Sequence, residues 1–234
     1  MPTLARRLVA EALGTFAFVF IGAAVVVVNG GFPNSGIGLI GIALAHAVAL
    51  SVMISATMAI SGGHLNPAVT IGLLVARRIG PVPAAAYIAT QLVAACVAAL
   101  LVQWLLPPGA VRSALLGVPV IANSITMGQA IAIETVLTFF LMSAVFGTAV
   151  SPDAPRVAGF GIGLVLLFDI LVGGPLTGAA MNPARAFGPA LISGQWLGHG
   201  AYWIGPILGA VLAALLWQYV LLPKTPPPRR RRTD

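Results

Sequence analysis

Charge is scarce in this chain: 7% of the 234 residues are charged and only five are acidic. A soluble domain carries about 25%, so a surface that meets water all round is excluded. Cysteine occurs once, at Cys96, which leaves no disulfide framework and no thiolate spacing for a metal. In its apolar run Cys96 reads as a small packing residue. The few acids and three histidines form no Ser/His/Asp, Cys/His or metal-ligand constellation, so neither an enzyme nor a bound cofactor is expected. The net charge of +7 does not come as a basic face interleaved with aromatics, which argues against a nucleic-acid partner.

What the chain has is hydrophobicity: 59% apolar residues and a mean hydropathy of +1.02. It falls in runs of roughly twenty residues, the length that crosses a bilayer as a helix, not in the ten-residue alternation of a barrel. Six spans are predicted, at about 8–28, 37–60, 83–106, 127–150, 157–172 and 201–222. The first is too long for a signal-peptide core and carries Glu11. A turn-rich segment, 29–36, follows it, and the longest connection runs from Pro107 to Ser124. The expected organisation is one transmembrane domain over 1–222, with repeats at about 1–106 and 125–222, and a basic tail at 223–234.

One stretch is written twice. Ser61-Gly62-Gly63-His64-Leu65-Asn66-Pro67-Ala68-Val69-Thr70 is answered by Thr177-Gly178-Ala179-Ala180-Met181-Asn182-Pro183-Ala184-Arg185-Ala186. In each copy Asn is a good N-cap and Pro a good first helical residue. The apolar run after Asn66 lasts about ten residues, roughly 15 Å at 1.5 Å per residue. That is half of the roughly 30 Å hydrocarbon core, so both runs are predicted to be re-entrant half-helices, about 67–76 and 183–192. Glu11-x-x-x-Thr15 and Glu134-x-x-x-Thr138 extend the duplication. Three spans per half is an odd number, so the second half inserts upside down. The expected fold is all-α, with six transmembrane helices and two half-helices in an inverted 3+3 repeat.

Charge placement agrees. Arg6, Arg7, Arg77, Arg78, Arg156, Lys224 and Arg229 to Arg232 fall on the side of both termini, which the positive-inside rule makes cytoplasmic. The tail is either solvated and topology-fixing or in contact with anionic head groups.

Irregular backbone at membrane depth is tolerated only where it is buried in protein or lines water. Two such loops meeting near the midplane imply an aqueous path. The carbonyls of Gly62, Gly63, His64, Leu65, Gly178, Ala180 and Met181 are candidate acceptors along it, and Asn66 and Asn182 candidate donors at its centre. The half-helices aim their positive ends there, roughly half a charge each, which disfavours cations and protons.

These motifs resemble those of the aquaporins, the major intrinsic protein family, over nearly the whole length. The resemblance implies a homotetramer in which every protomer has its own pore. It also implies that Glu11 and Glu134 are buried and hydrogen-bonded to the loop backbones, with His64 a loop brace or a gating group. By the same likeness His46, Ile170, Ala179 and Arg185 form the selectivity filter. Strict water channels of the family typically carry Phe and His, and glycerol channels Trp and Gly, where this chain has His46 and Ile170. The set resembles the filter of some plant vacuolar-membrane members. Ile for His and the small Ala179 imply a wider, less polar opening, so water with urea, ammonia and hydrogen peroxide is expected, and glycerol after them. A water-only channel and a glycerol facilitator are the alternatives; Ala186, where facilitators typically have an acid after the arginine, weakens the latter. A secondary transporter would need a coupling site, and the only span acids are Glu11, Glu134 and Asp169. Asp169, beside Ile170, either anchors the 107–124 loop or orients His46 or Arg185. The absence of a targeting peptide and the basic tail point to a prokaryotic plasma membrane.

Overall fold

The computed structural model describes residues 2–157 and 159–223. All of its described regular structure is helical. α1 spans Leu4–Gly31, α2 Gly38–Ser61, α3 Pro67–Val75, α4 Pro81–Leu105 and α5 Pro108–Ser113. α6 spans Met127–Val145, α7 Gly159–Thr177, α8 Pro183–Ser193 and α9 Ala201–Leu216. Six of these, counting the π-helical turns Phe146–Val150 and Trp217–Leu221 that end α6 and α9, are long and apolar enough to span a membrane. α3 and α8 are the half-helices, and α5 lies in the long connection.

Local chemistry explains the starts. Thr3 caps α1, accepting from Arg6 N, so Arg6 and Arg7 lie inside its first turns. Thr126 and Gln129 form a reciprocal capping box on α6. α7 departs from expectation: it runs to Thr177, five residues beyond the predicted end, with Pro175 in its last turn. A proline removes one helical hydrogen bond and costs about 3 kcal/mol. Bonds from outside the helix hold the extra turn: Ala122 N donates to Leu176 O at 2.9 Å, Tyr202 Oη to Thr177 O at 2.7 Å, and Thr177 Oγ1 donates to Glu134 at 2.8 Å.

Backbone contact fixes the bundle. Gly159 and Gly163 face Ile54, Ser55, Ser51 and Ala47 on α2, where a Cβ has no room. Gly205 and Gly209 press in the same way on Ile131, Glu134 and Thr135 of α6. Small residues at such crossings give the close approach that helix pairs need within lipid. Gly161, from the same glycine run, faces Thr148 and Val157 instead. Outward, large apolar side chains lie bare, Val9 at 68%, Ile40 at 70% and Val172 at 67% exposed, a surface suited to lipid and not to water.

The start of α1 and the end of α9 lie on one side, here called inner. Arg7 donates to Tyr87 near the end of α2, and Arg78 after α3 donates to Gln218 after α9. The basic tail from Lys224 onward lies outside the described residues.

Candidate pore and filter

The two loops repeat one backbone conformation. Gly62, Gly63 and Leu65 have φ of 95°, 61° and 50°; Gly178, Ala179 and Met181 have 80°, 46° and 51°. Left-handed geometry costs a non-glycine residue about 1–2 kcal/mol, so Leu65, Ala179 and Met181 are strained. The bonds around them hold that strain in place.

Glu11, fully buried, accepts His64 N at 3.0 Å and Leu65 N at 2.8 Å, together with Ser61 Oγ at 2.6 Å and Gln91 Nε2 at 2.9 Å. Glu134, fully buried, accepts Ala180 N at 2.9 Å, Met181 N at 2.7 Å and Thr177 Oγ1 at 2.8 Å. A tyrosine completes each brace: Tyr87 Oη donates to Ser61 O and Tyr202 Oη to Thr177 O, both at 2.7 Å. A buried carboxylate is tolerated where charge-assisted bonds of this kind satisfy it.

The half-helices meet at their N-terminal ends. Asn66 Oδ1 caps α3 by accepting Ala68 N, and its Nδ2 crosses to Met181 O at 2.9 Å. Asn182 Oδ1 accepts Ala184 N and Arg185 N, and its Nδ2 crosses to Leu65 O at 2.9 Å. Pro67 and Pro183 occupy the first helical positions. Each amide uses one N–H in the crossing and keeps one. Leu65 O and Met181 O, two of the expected pore carbonyls, each accept from the opposite asparagine and keep a second lone pair. Leu65 itself is fully buried, packed where Gly14 lacks a side chain.

Two cavities lie on this axis. The inner one, of about 480 Å³ free space, is walled by Phe18, Ile54, Leu141 and Ile162 among apolar groups, and by Gly62, Gly63, His64, Ala180 and Met181 from the loops. Its polar side chains are His64, Asn66 and Asn182. The outer vestibule, of about 790 Å³ free space, is lined by Ile42, Gly117, Ile170, Gly174, Gly178 and Arg185 among others.

Helical spacing locates the neck between them. Along α2, Ile42 faces the vestibule while Leu50 and Ile54 face the inner cavity; His46 stands midway at the same four-residue interval. Along α7, Ile162 and Leu166 are inner and Ile170 and Gly174 outer. Of the four candidate filter residues, Ile170 and Arg185 line the outer vestibule, His46 falls between the two linings along α2, and Ala179 lines neither cavity. Arg185 is buried, and its Nη1 donates to Gly117 O at 2.7 Å. His46 Nδ1 donates to Ile42 O at 2.9 Å, and its Nε2 lies against Gly22 of α1.

Asp169 needs correcting. It is 1% exposed, with neither carboxylate oxygen hydrogen-bonded among the described residues. It makes no hydrogen bond to His46, to Arg185, which gives Gly117 O one of its five N–H groups, or to the 107–124 connection. That connection is held instead by Ala122 N on Leu176 O and by Gly117 seated against Ala23.

Gln91, Thr70, Tyr87 and Tyr202 were missed. A glutamine in the middle of the third span and a tyrosine near the start of both the third and the sixth were signals in the sequence. Gly117 meets Arg185 through its backbone carbonyl, a role that leaves no such trace.

The sequence from 1 to 217 matches the family model for the major intrinsic proteins. The chain belongs to that family. Among curated aquaporins, the maize aquaporin TIP4-4 is 43% identical over 91% of this chain and 85% of its own length. The probable aquaporin TIP-type alpha of Phaseolus vulgaris is 42% identical over 99% of this chain and 91% of its own. The solved structure of the aquaglyceroporin from Plasmodium falciparum superposes with a TM-score of 0.84 at 24% identity, covering 93% of this chain and 97% of that one; this likeness concerns the fold. The aquaporin chain described here is an integral membrane protein. The expectation of a prokaryotic membrane conflicts with its curated relatives, which are plant proteins.

Proposed function

We propose that this aquaporin is a passive channel for water and small neutral solutes, with urea, ammonia and hydrogen peroxide passing besides water and glycerol next by size. The observation that carries the solute range is Ile170 at the vestibule floor. An isoleucine offers no hydrogen bond there, and Ala179, the loop member of the candidate filter, adds only a methyl group, so the opening does not select for water alone. Arg185 supplies donors and positive charge, which pass a carbonyl or water oxygen and repel cations.

Selection against protons belongs to the centre. The remaining N–H of Asn66 and of Asn182 both offer donors to the file, and the ends of α3 and α8 add positive potential. A water held there presents its oxygen to the asparagines and turns its hydrogens outward, which interrupts proton hopping along the file. The carbonyls of Gly62, Gly63 and His64 continue the path as acceptors on the inner side. Both termini are assigned to the cytoplasm by the positive-inside rule, and the family pattern points to a homotetramer with one pore per protomer. Swelling of proteoliposomes in water, urea, ammonia, hydrogen peroxide and glycerol gradients tests the reading. Water flux without urea or ammonia flux leaves a water-only channel and overturns the extended range.

A further inference from the structure

In the inner cavity the asparagines offer donors, and His64 is set apart by a chain of bonds that the other half of the molecule does not have. Glu11 Oε2 accepts Gln91 Nε2 at 2.9 Å, which obliges Gln91 to turn its NH₂ and not its carbonyl toward the carboxylate. The same NH₂ donates its second hydrogen to Thr70 Oγ1 at 3.1 Å. Thr70 places its own proton on Asn66 O at 2.9 Å. A hydroxyl so used can only accept further, and His64 Nδ1 lies 3.1 Å away. Nδ1 therefore carries the imidazole proton. Nε2 is left as a lone-pair acceptor beside Gly62, at the wall of the inner cavity.

Register between the repeats shows that this chain is not needed to hold a loop. Ala180, Ala186 and Pro206 stand where the first half has His64, Thr70 and Gln91. The second loop is braced by Glu134, Thr177 and Tyr202, with no counterpart of the Gln91–Thr70 chain among the described residues.

We infer that Gln91 and Thr70 are positioning residues that hold His64 in its Nδ1–H form, making Nε2 the side-chain acceptor in the inner half of the pore that takes the N–H groups of a passing solute such as urea. This rests on the solute range proposed above. Histidine is a good residue for the task because either nitrogen can carry the proton, so the neighbours decide the outcome.

The test uses the full chain, with ¹⁵N-labelled histidine, reconstituted in liposomes. Nitrogen chemical shifts report the tautomer, and His64→Asn identifies the signal to follow. The wild type gives the Nδ1–H pattern. Thr70→Val and Gln91→Leu, which keep much of the volume, shift His64 toward Nε2–H, and urea permeability relative to water falls about fivefold, the loss of one hydrogen bond. Thr70→Ser restores both readouts, which a purely structural role of Thr70 does not require. A wild-type His64 in the Nε2–H form overturns the inference. So does a tautomer switched by Thr70→Val with the urea-to-water ratio unchanged. A wild type without urea flux sinks the solute range and the acceptor role; the spectrum, which needs no permeant, then decides the positioning claim by itself.

Discussion

Glu134 shows how much one side chain carries at the residue scale. It satisfies two backbone N–H groups and one hydroxyl of a strained loop. In Glu134→Gln one carboxylate oxygen becomes a donor facing Met181 N or Ala180 N, leaving a buried N–H unpaired at a cost of about 2 kcal/mol. The expected result is a lower unfolding temperature in detergent together with reduced water flux; an unchanged unfolding temperature would show that the loop holds itself. Ala179→Gly relieves the left-handed strain of a non-glycine residue and is expected to stabilise by about 1 kcal/mol, read by the same unfolding measurement. Asn66, Asn182, Glu11, Glu134 and Arg185 were legible in the sequence because each sits in a motif, and all but Arg185 occur in duplicate. Gln91 and Thr70 were not, because their importance lies in a bond path that crosses from α1 to α4 to α3. Asp169 was noticed for its oddity, but the bonds expected of it are not formed among the described residues.

At the scale of elements, spacing predicted the helices and packing set their ends. The two half-helices were read from length and capping alone, since about ten apolar residues after Asn-Pro cannot cross a bilayer. The last turn of α7 was not, because Gly173-Gly174-Pro175 reads as a stop. Only the partners Ala122, Glu134 and Tyr202, remote in sequence, make it continue. The glycine contacts give a sharp contrast between two substitutions. A Cβ on Gly209 would lie 2.2 Å from Thr135 O, whereas nothing lies within 4 Å of one on Gly128. Gly209→Val is expected to cost about 3 kcal/mol or more by forcing α9 from α6. Gly128→Ala, in the first turn of α6, is expected to be neutral or stabilising by up to about 1 kcal/mol. Equal effects of the two on thermal unfolding would contradict the assigned α6–α9 contact.

The whole molecule is apolar outside and has its polar groups strung along an axis, a plan visible in composition as soon as charge proved scarce. Its outer rim is sensitive to pH through His199, in the turn before α9. Burial lowers the pKa of His199 from the ordinary 6.5, and Nε2 accepts Trp203 Nε1–H at 3.0 Å. As pH falls below 6.5, the unfolded chain takes up this proton more readily than the folded one, so stability is lost toward acid. The unfolding temperature should therefore drop from pH 7.5 to 5, and His199→Gln should flatten that drop; a drop of the same size in the variant would place the effect elsewhere.

The central claim concerns what the pore passes, and the filter residue Ile170 tests it most directly. Water and urea permeabilities are to be measured side by side in proteoliposomes holding the wild type or Ile170→His. The account predicts that the wild type passes both and that Ile170→His keeps water flux while losing most urea flux. A wild type that passes water alone, or a urea-to-water ratio that Ile170→His leaves unchanged, would contradict it.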